Sequence, residues 1–354
     1  MQKLPCLDGI RAIAALSVLA SHVCILRFGT LPRREWTDIA LYSHLAVDTF
    51  IVLSGFSLGY SAATSRSDTY SKFIKRRCLR ILPAYYGAMV ITGLLWFALN
   101  CVLGDGRLMP FSAIASTALM LNDFFPEAGT YFSSTFWSIG IEFRLYFLFP
   151  TFLWVYRRHG ALLTLLAGAV VSLVWLGFAL FARQQFGSNL AYLCPWYAVL
   201  FVFGIIASQR LGQCAKTLYW AIGSATALLP LLWDSRITIA RGWQPYLEAL
   251  PTIDILTGLL VAALLLWLGD QSVSGRPSLP LRALGWKPLA RVAAWSYSLY
   301  LLHYPLLKIN NIVAGMFDFV GWSAIALQLI PTLFGCWLFS KAFERQFFKR
   351  PVTA

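Results

Sequence analysis

A chain of 354 residues that is 58% hydrophobic and 12% charged, with mean hydropathy +0.66, is too greasy for a water-soluble domain and reads as an integral membrane protein. Its net charge of +14 is carried in short loops between apolar runs, where orientation in a bilayer explains it better than nucleic acid does. The seven cysteines lack CxxC spacing and read as small buried hydrophobes.

Runs of about 20 apolar residues predict spans near 7–28, 44–64, 81–103, 135–156, 161–182, 190–208, 217–233, 251–269, 291–309 and 320–340. The expected fold is all-α, a single multi-pass membrane domain of about ten transmembrane helices over 1–354, without a soluble domain. Most Lys and Arg lie on one side of this array, which places both termini in the cytoplasm. The first run reads as a retained span, because Arg11 interrupts it and no cleavage site precedes Cys24. The stretch from Phe111 to Leu121 is too short to cross and is expected to be interfacial or re-entrant.

Ionisable groups inside such runs are expensive and face a bundle interior or a cavity, so each is a functional candidate. In the first run, Arg11 and His22 flank the apolar stretch Ala12 to Ala20. Eleven residues at about 100° each return them to nearly the same helix face, about 16 Å apart along the axis. Asp8, one turn before Arg11, is placed to orient it. Asp48 in HLAVDTFIVLSGF shares a face with Gly55, where a neighbouring helix or a substrate can approach closely. In KFIKRRCLRILP, Arg77 and Arg80 fall on one face. Alone they are explained by topology, but with Arg11 at the same depth they form a plausible polyphosphate site.

In STFWSIGIEFRLYFLFP, Ser138, Glu142 and Tyr146 make a polar stripe, with Arg144 on roughly the opposite face. In SYSLYLLHYP, Ser296, Tyr300 and His303 share a face, and Pro305 is expected to bend or end the helix. These placements suggest two layers: His22, Asp48, Glu142 and His303 toward the outer half, and Arg11, Arg77 and Arg80 near the inner surface. His44 and His159 lie at span boundaries and are expected to be solvated. With no HExxH, GxSxG, Walker loop or clustered His/Cys set, no metal is expected.

Five stretches in order, LDGIRAIAALSVLASH, VDTFIVLSGF, FIKRRCLRILPAYY, FWSIGIEFRLYFLFP and SYSLYLLHYP, together resemble the acyltransferase 3 family of integral membrane O-acyltransferases. The resemblance implies transfer of an acyl group, usually acetyl from cytoplasmic acetyl-CoA, to a hydroxyl of a cell-surface or exported glycan or lipid-linked sugar, in the bacterial inner membrane. Arg11 and His22 fit the family's R-x10-H motif, whose histidine is considered catalytic, and Arg77 and Arg80 fit its RxxR motif. Asp48, Ser54, Gly55 and Phe56 match the second-span signature, and Glu142 the first carboxylate of the fourth. Phe143 and Arg144 depart from it, standing where many members have a second acidic residue and a glutamine.

The expected machinery is therefore His22 as general base with Glu142 or Asp48 fixing its tautomer. Arg11, Arg77 and Arg80 would hold acetyl-CoA, and Ser54, Tyr146, Tyr300 and His303 would line the acceptor side. The partners expected are acyl-CoA, a glycan or lipid-linked saccharide and membrane lipid, and no nucleic acid. A proton-coupled transporter or flippase of a glycan precursor is the competing reading, because buried His and carboxylates also serve carriers. An inert scaffold is the third.

Overall fold

The computed structural model describes residues 4–28, 44–64, 69–104, 108–125, 128–187, 190–213, 221–231, 244–275 and 278–344. Among these residues all regular structure is helical. The order is α1 (Pro5–Phe28), α2 (His44–Thr64), α3 (Tyr70–Leu103), α4 (Phe111–Ala118), α5 (Ala128–Tyr131), α6 (Phe136–Phe186), α7 (Leu190–Leu193) and α8 (Tyr197–Gln209). Then come α9 (Ala221–Leu231), α10 (Gln244–Val273), α11 (Leu279–Leu284), α12 (Lys287–Ala293), α13 (Ser296–Met316) and α14 (Gly321–Phe339), the last running into a π-turn at Ser340–Glu344.

Six helices, α1, α2, α3, α6, α10 and α14, are long and apolar enough to cross a bilayer, while α8 and α9 are apolar but shorter. Two of the ten expected spans share α6, a run of 51 residues broken at Gly160 (φ 80°, ψ −173°) in the RRHG turn. A backbone of that kind is open only to glycine. The third expected span begins earlier than its apolar run, because α3 extends back through the basic stretch to Tyr70 and carries Arg77 and Arg80 on helix. Pro305 does not end α13, which continues to Met316. Packing in a helical bundle tolerates an internal proline.

The bundle is built around α2. A Cβ added at Gly55 would sit 2.1 Å from the Phe201 carbonyl oxygen of α8, and one added at Gly204 of α8 would sit 2.1 Å from the Val52 carbonyl oxygen. These glycines let the two backbones touch, the small-residue contact that membrane helices use in place of a hydrophobic drive. It is therefore a neighbouring helix that exploits Gly55. The large apolar side chains left exposed, such as Val90, Leu94 and Phe97 on α3, Leu166 and Val170 on α6 and Phe334 on α14, form the surface that lipid would cover.

The short helix α4 and the turn after it are fixed to this frame by polar contacts. The Tyr85 hydroxyl donates to Thr117 O at 2.8 Å, and the Tyr86 hydroxyl donates to Ala118 O at 3.0 Å. Met120, at φ 58°, presents its carbonyl to Gly140, where a Cβ would come within 2.4 Å. Arg144 donates to the same carbonyl at 3.0 Å, pairs with the fully buried Asp123, and lies over the Trp175 and Phe124 rings. Arg144 and Glu142 thus face apart, as their spacing on α6 requires.

Candidate active site

A cavity of about 660 Å³ lies where α1, α2, α3, α6, α12 and α13 converge. Arg11, Arg77 and Arg80 all line it, together with Ser54, Ser138, Glu142, Tyr146, Ser296 and Tyr300. The three arginines therefore meet, although they come from helices that are separate in the sequence. Arg11 Nη1 donates to Asp8 Oδ1 at 3.3 Å, the contact expected from their spacing. Arg80 is a charged neighbour of both Arg11 and Arg77. Arg77 lies over the Phe73 ring, and its buried Nε has no hydrogen-bond partner among the described residues. Clustered guanidiniums, one with a donor to spare, suit a polyphosphate, which arginine binds through its planar fork.

A row of hydroxyls and a carboxylate crosses the same cavity. Ser54 Oγ donates to the Tyr146 hydroxyl at 3.1 Å, and that hydroxyl donates to Glu142 Oε1 at 2.5 Å. Ser138 Oγ and the Tyr300 hydroxyl are 2.6 Å apart. Glu142 is a charged neighbour of Arg11 and Arg77, so it belongs with the arginines and not with an outer layer containing His22.

His22 lies beyond the cavity lining, 11 residues along α1 from Arg11. Its Nδ1 is 2.9 Å from His303 Nε2, and His303 Nδ1 is 2.8 Å from Leu299 O. Tyr300 connects the two regions: its ring packs against Phe50 of the cavity wall at 5.7 Å and against His303 at 6.0 Å. A carbonyl only accepts, so the Leu299 contact requires the proton of neutral His303 on Nδ1. His303 Nε2 then accepts from His22 Nδ1–H, which leaves His22 Nε2 with its lone pair. The orienting carboxylate expected at His22 is thus replaced by an imidazole. Glu142 is occupied with Tyr146, and the charged neighbours of Asp48 are Asp254 and His44.

The fully buried Asp48 does not line the cavity. It stands in a second polar cluster that sequence alone did not reveal. His44, expected to be solvated, has only 16% of its side chain exposed. Its Nε2 is 3.1 Å from Asp254 Oδ2 and 3.1 Å from the Tyr197 hydroxyl. Cys194 joins them, so a His/Cys/Asp set absent as a linear motif is assembled by the fold. His159 is exposed, as expected. Glu344, also unremarked in the sequence, lines the cavity and accepts from Ser298 N at 3.2 Å and Ser298 Oγ at 2.5 Å.

Residues 4–341 match the acyltransferase domain family, nearly the whole chain and all of the helices α1, α2, α3, α6, α12 and α13 that converge on the cavity. The protein belongs to the acyltransferase 3 family. It is an acyltransferase carried by a multi-pass helical membrane domain. The chain is 26% identical over 339 residues to acyltransferase MdmB of Streptomyces mycarofaciens, covering 88% of this chain and 81% of that protein. It is also 26% identical over 372 residues to peptidoglycan O-acetyltransferase OatA of Listeria monocytogenes, covering 93% of this chain and 53% of that protein. With putative peptidoglycan O-acetyltransferase YrhL of Bacillus subtilis the identity is again 26%, over 366 residues, 93% of this chain and 52% of that protein. This acyltransferase 3 chain therefore spans about half the length of the two peptidoglycan O-acetyltransferases. No solved structure matches it.

Proposed function

We propose that the protein is an O-acetyltransferase of the bacterial cytoplasmic membrane. It moves an acetyl group from cytoplasmic acetyl-CoA to a hydroxyl of a cell-surface or exported glycan or a lipid-linked saccharide. The names of its relatives MdmB, OatA and YrhL support the class of reaction and, for two of them, a glycan acceptor. The observation that carries the reading is the pairing of His22 with His303 beside a cavity lined by Arg11, Arg77 and Arg80.

Acetyl-CoA supplies the activated acyl group: its thioester C–S bond breaks as the new ester C–O bond forms, and the CoA thiolate leaves with the proton that His22 has taken from the acceptor hydroxyl. Arg11, Arg77 and Arg80 hold its phosphates at the cytoplasmic side of a ten-span array with both termini inside. Glu142 balances their charge, and Ser54 and Tyr146 offer hydroxyls along the row that crosses the cavity. His22 Nε2 takes the proton of the acceptor hydroxyl as the new ester bond forms, the work of a general base held within hydrogen-bond reach of the group it deprotonates. The imidazolium that results keeps its Nδ1–H on His303 Nε2, so the positive charge is stabilised by a hydrogen-bond acceptor already in place. His303 holds the tautomer, the role a carboxylate plays in hydrolytic triads. Tyr300 and Ser138 form the wall between this pair and the cavity, on the path by which donor and acceptor meet.

The test is turnover by the full chain in nanodiscs, with radiolabelled acetyl-CoA and a panel of saccharide acceptors. Label transferred to a saccharide hydroxyl in a His22-dependent manner supports the reading. Movement of unmodified saccharide across the membrane without loss of acetyl-CoA would replace it with a carrier.

A further inference from the structure

The cluster around His44 brings together four metal-ligating side chains that the acyl-transfer scheme does not use. His44 and Asp48 occupy positions i and i+4 of α2 and so project from one helix face. Cys194 comes from the junction of α7 and α8, and Asp254 from α10. The Cys194 Sγ lies 3.9 Å from His44 Nε2, Asp254 Oδ2 lies 3.1 Å from it, and one ligand atom from each of the three lies within 4.8 Å of the others. Donors arranged tetrahedrally at zinc bond lengths of about 2.0–2.3 Å stand about 3.3–3.8 Å apart. The observed spacings, 3.1 Å, 3.9 Å and at most 4.8 Å, lie within about an ångström of that arrangement.

Three further observations point to a ligand. Asp48 is 0% exposed and shares its buried surroundings with the acidic Asp254 and with His44, and among the described residues Asp254 Oδ1 has no hydrogen-bond partner. Buried acceptors of this kind are costly unless something satisfies them. Asp254 and Cys194, a Tyr197 hydroxyl included, all converge on the single nitrogen His44 Nε2, which can serve one donor–acceptor pair well but not three. Cys194 also holds φ at 36°, a left-handed backbone that a non-glycine residue adopts only when its surroundings impose it.

We propose that His44, Asp48, Cys194 and Asp254 form a binding site for one zinc ion, closed and structural, that ties α2 to α10 and to the α7–α8 junction. A thiolate, an imidazole and carboxylates are the donor set of zinc and not of magnesium or calcium, which take oxygen ligands. Its double positive charge offsets the buried acidic groups. The supporting shell is in place: Trp196 Nε1–H donates at 2.7 Å to Asp254 Oδ2, the oxygen that stands beside His44 Nε2, and the Trp137 ring stacks on His44 at 5.6 Å and 9°. Such contacts fix ligand orientation.

The test is metal analysis of the full chain, purified with a non-histidine tag and without chelator, followed by exchange with cobalt. The expected result is about one zinc per chain, loss of that zinc in Cys194→Ser and Asp254→Asn, and its retention in His22→Ala. Cobalt-loaded wild type should show a thiolate-to-metal charge-transfer band that Cys194→Ser lacks. Because serine is nearly isosteric with cysteine, the Cys194→Ser variant should stay monodisperse and give an interpretable reading. A monodisperse wild type that takes up neither zinc nor cobalt when supplied with excess would overturn the proposal. So would zinc content or a cobalt band that survives the Cys194→Ser and Asp254→Asn changes.

Discussion

His22 and His303, 281 residues apart in the chain, approach to 2.9 Å between Nδ1 and Nε2. The contact exists because α1 and α13 pack side by side, and its direction is set one helical turn further back, where Leu299 O can only accept from His303 Nδ1–H. This chain of two hydrogen bonds leaves one free lone pair, on His22 Nε2.

Loss of either imidazole should therefore affect the chemical step in different degrees. His22→Ala removes the base and should lower kcat by about 10²–10⁴-fold, with acetyl-CoA binding intact. His303→Ala should also lower kcat and leave the KM for acetyl-CoA unchanged. His303→Gln, whose Oε1 can accept from His22 Nδ1–H, should recover a large part of the loss. Equal activity for His303→Ala and His303→Gln would show that the tautomer is not set from that position.

The arginines should act on binding. Each charge-assisted hydrogen bond contributes about 1.5–3 kcal/mol, so Arg77→Ala or Arg80→Ala should weaken acetyl-CoA binding by about 10- to 150-fold in calorimetric titration. Arg77→Lys should restore little, because an ammonium lacks the planar fork. Unchanged affinity in both alanine variants would remove this cluster from the donor site.

The contact between α2 and α8 leaves no room for side chains at Gly55 and Gly204. Gly55→Leu and Gly204→Leu should each destabilise the fold by at least the 1–3 kcal/mol typical of overpacking, about that or more here because backbone is struck. Thermal unfolding in detergent reads this as a lowered Tm. Gly177, with nothing within 4 Å, serves as the control: Gly177→Ala should leave Tm essentially unchanged.

Arg144, which departs from the family pattern, holds the turn after α4 through Asp123 and Met120 O. Arg144→Ala leaves Asp123 buried without its cation and should cost about 3–5 kcal/mol. Arg144→Ala with Asp123→Asn should be milder, since the stranded charge is then gone. A fully stable Arg144→Ala protein with kcat abolished would instead place Arg144 in the chemistry.

Much of this arrangement is legible in the sequence because intramembrane charge is rare enough to stand out. The spacing of Arg77 and Arg80, with Arg11 expected at the same depth, suggests one site, and all three line one cavity. Of the stripe Ser138, Glu142 and Tyr146, all three line the cavity, Tyr146 donates to Glu142, and Ser138 pairs instead with Tyr300. Pairings between distant helices were not legible. Periodicity places His22 and His303 on helix faces but is silent on whether those faces meet, and the analogy with hydrolytic triads gives His22 a carboxylate partner. Glu142 was assigned to the wrong layer for the same reason: depth along one helix does not reveal which neighbours surround it. His44 fell at a span boundary, where polar residues are ordinary, and only tertiary packing brings Cys194 and Asp254 to it. The break at Gly160 was legible as well, since hydropathy separates the runs 135–156 and 161–182 there, and the non-helical backbone of Gly160 divides the stretch into two helices.

The most direct measurement is acetyl transfer from labelled acetyl-CoA by the full chain in nanodiscs, comparing wild type with His22→Ala and Arg80→Ala. The expected result is transfer by wild type, acetyl-CoA binding without transfer in His22→Ala, and weakened binding in Arg80→Ala. Transfer that persists at the wild-type rate in His22→Ala would contradict the assignment of His22 as the base.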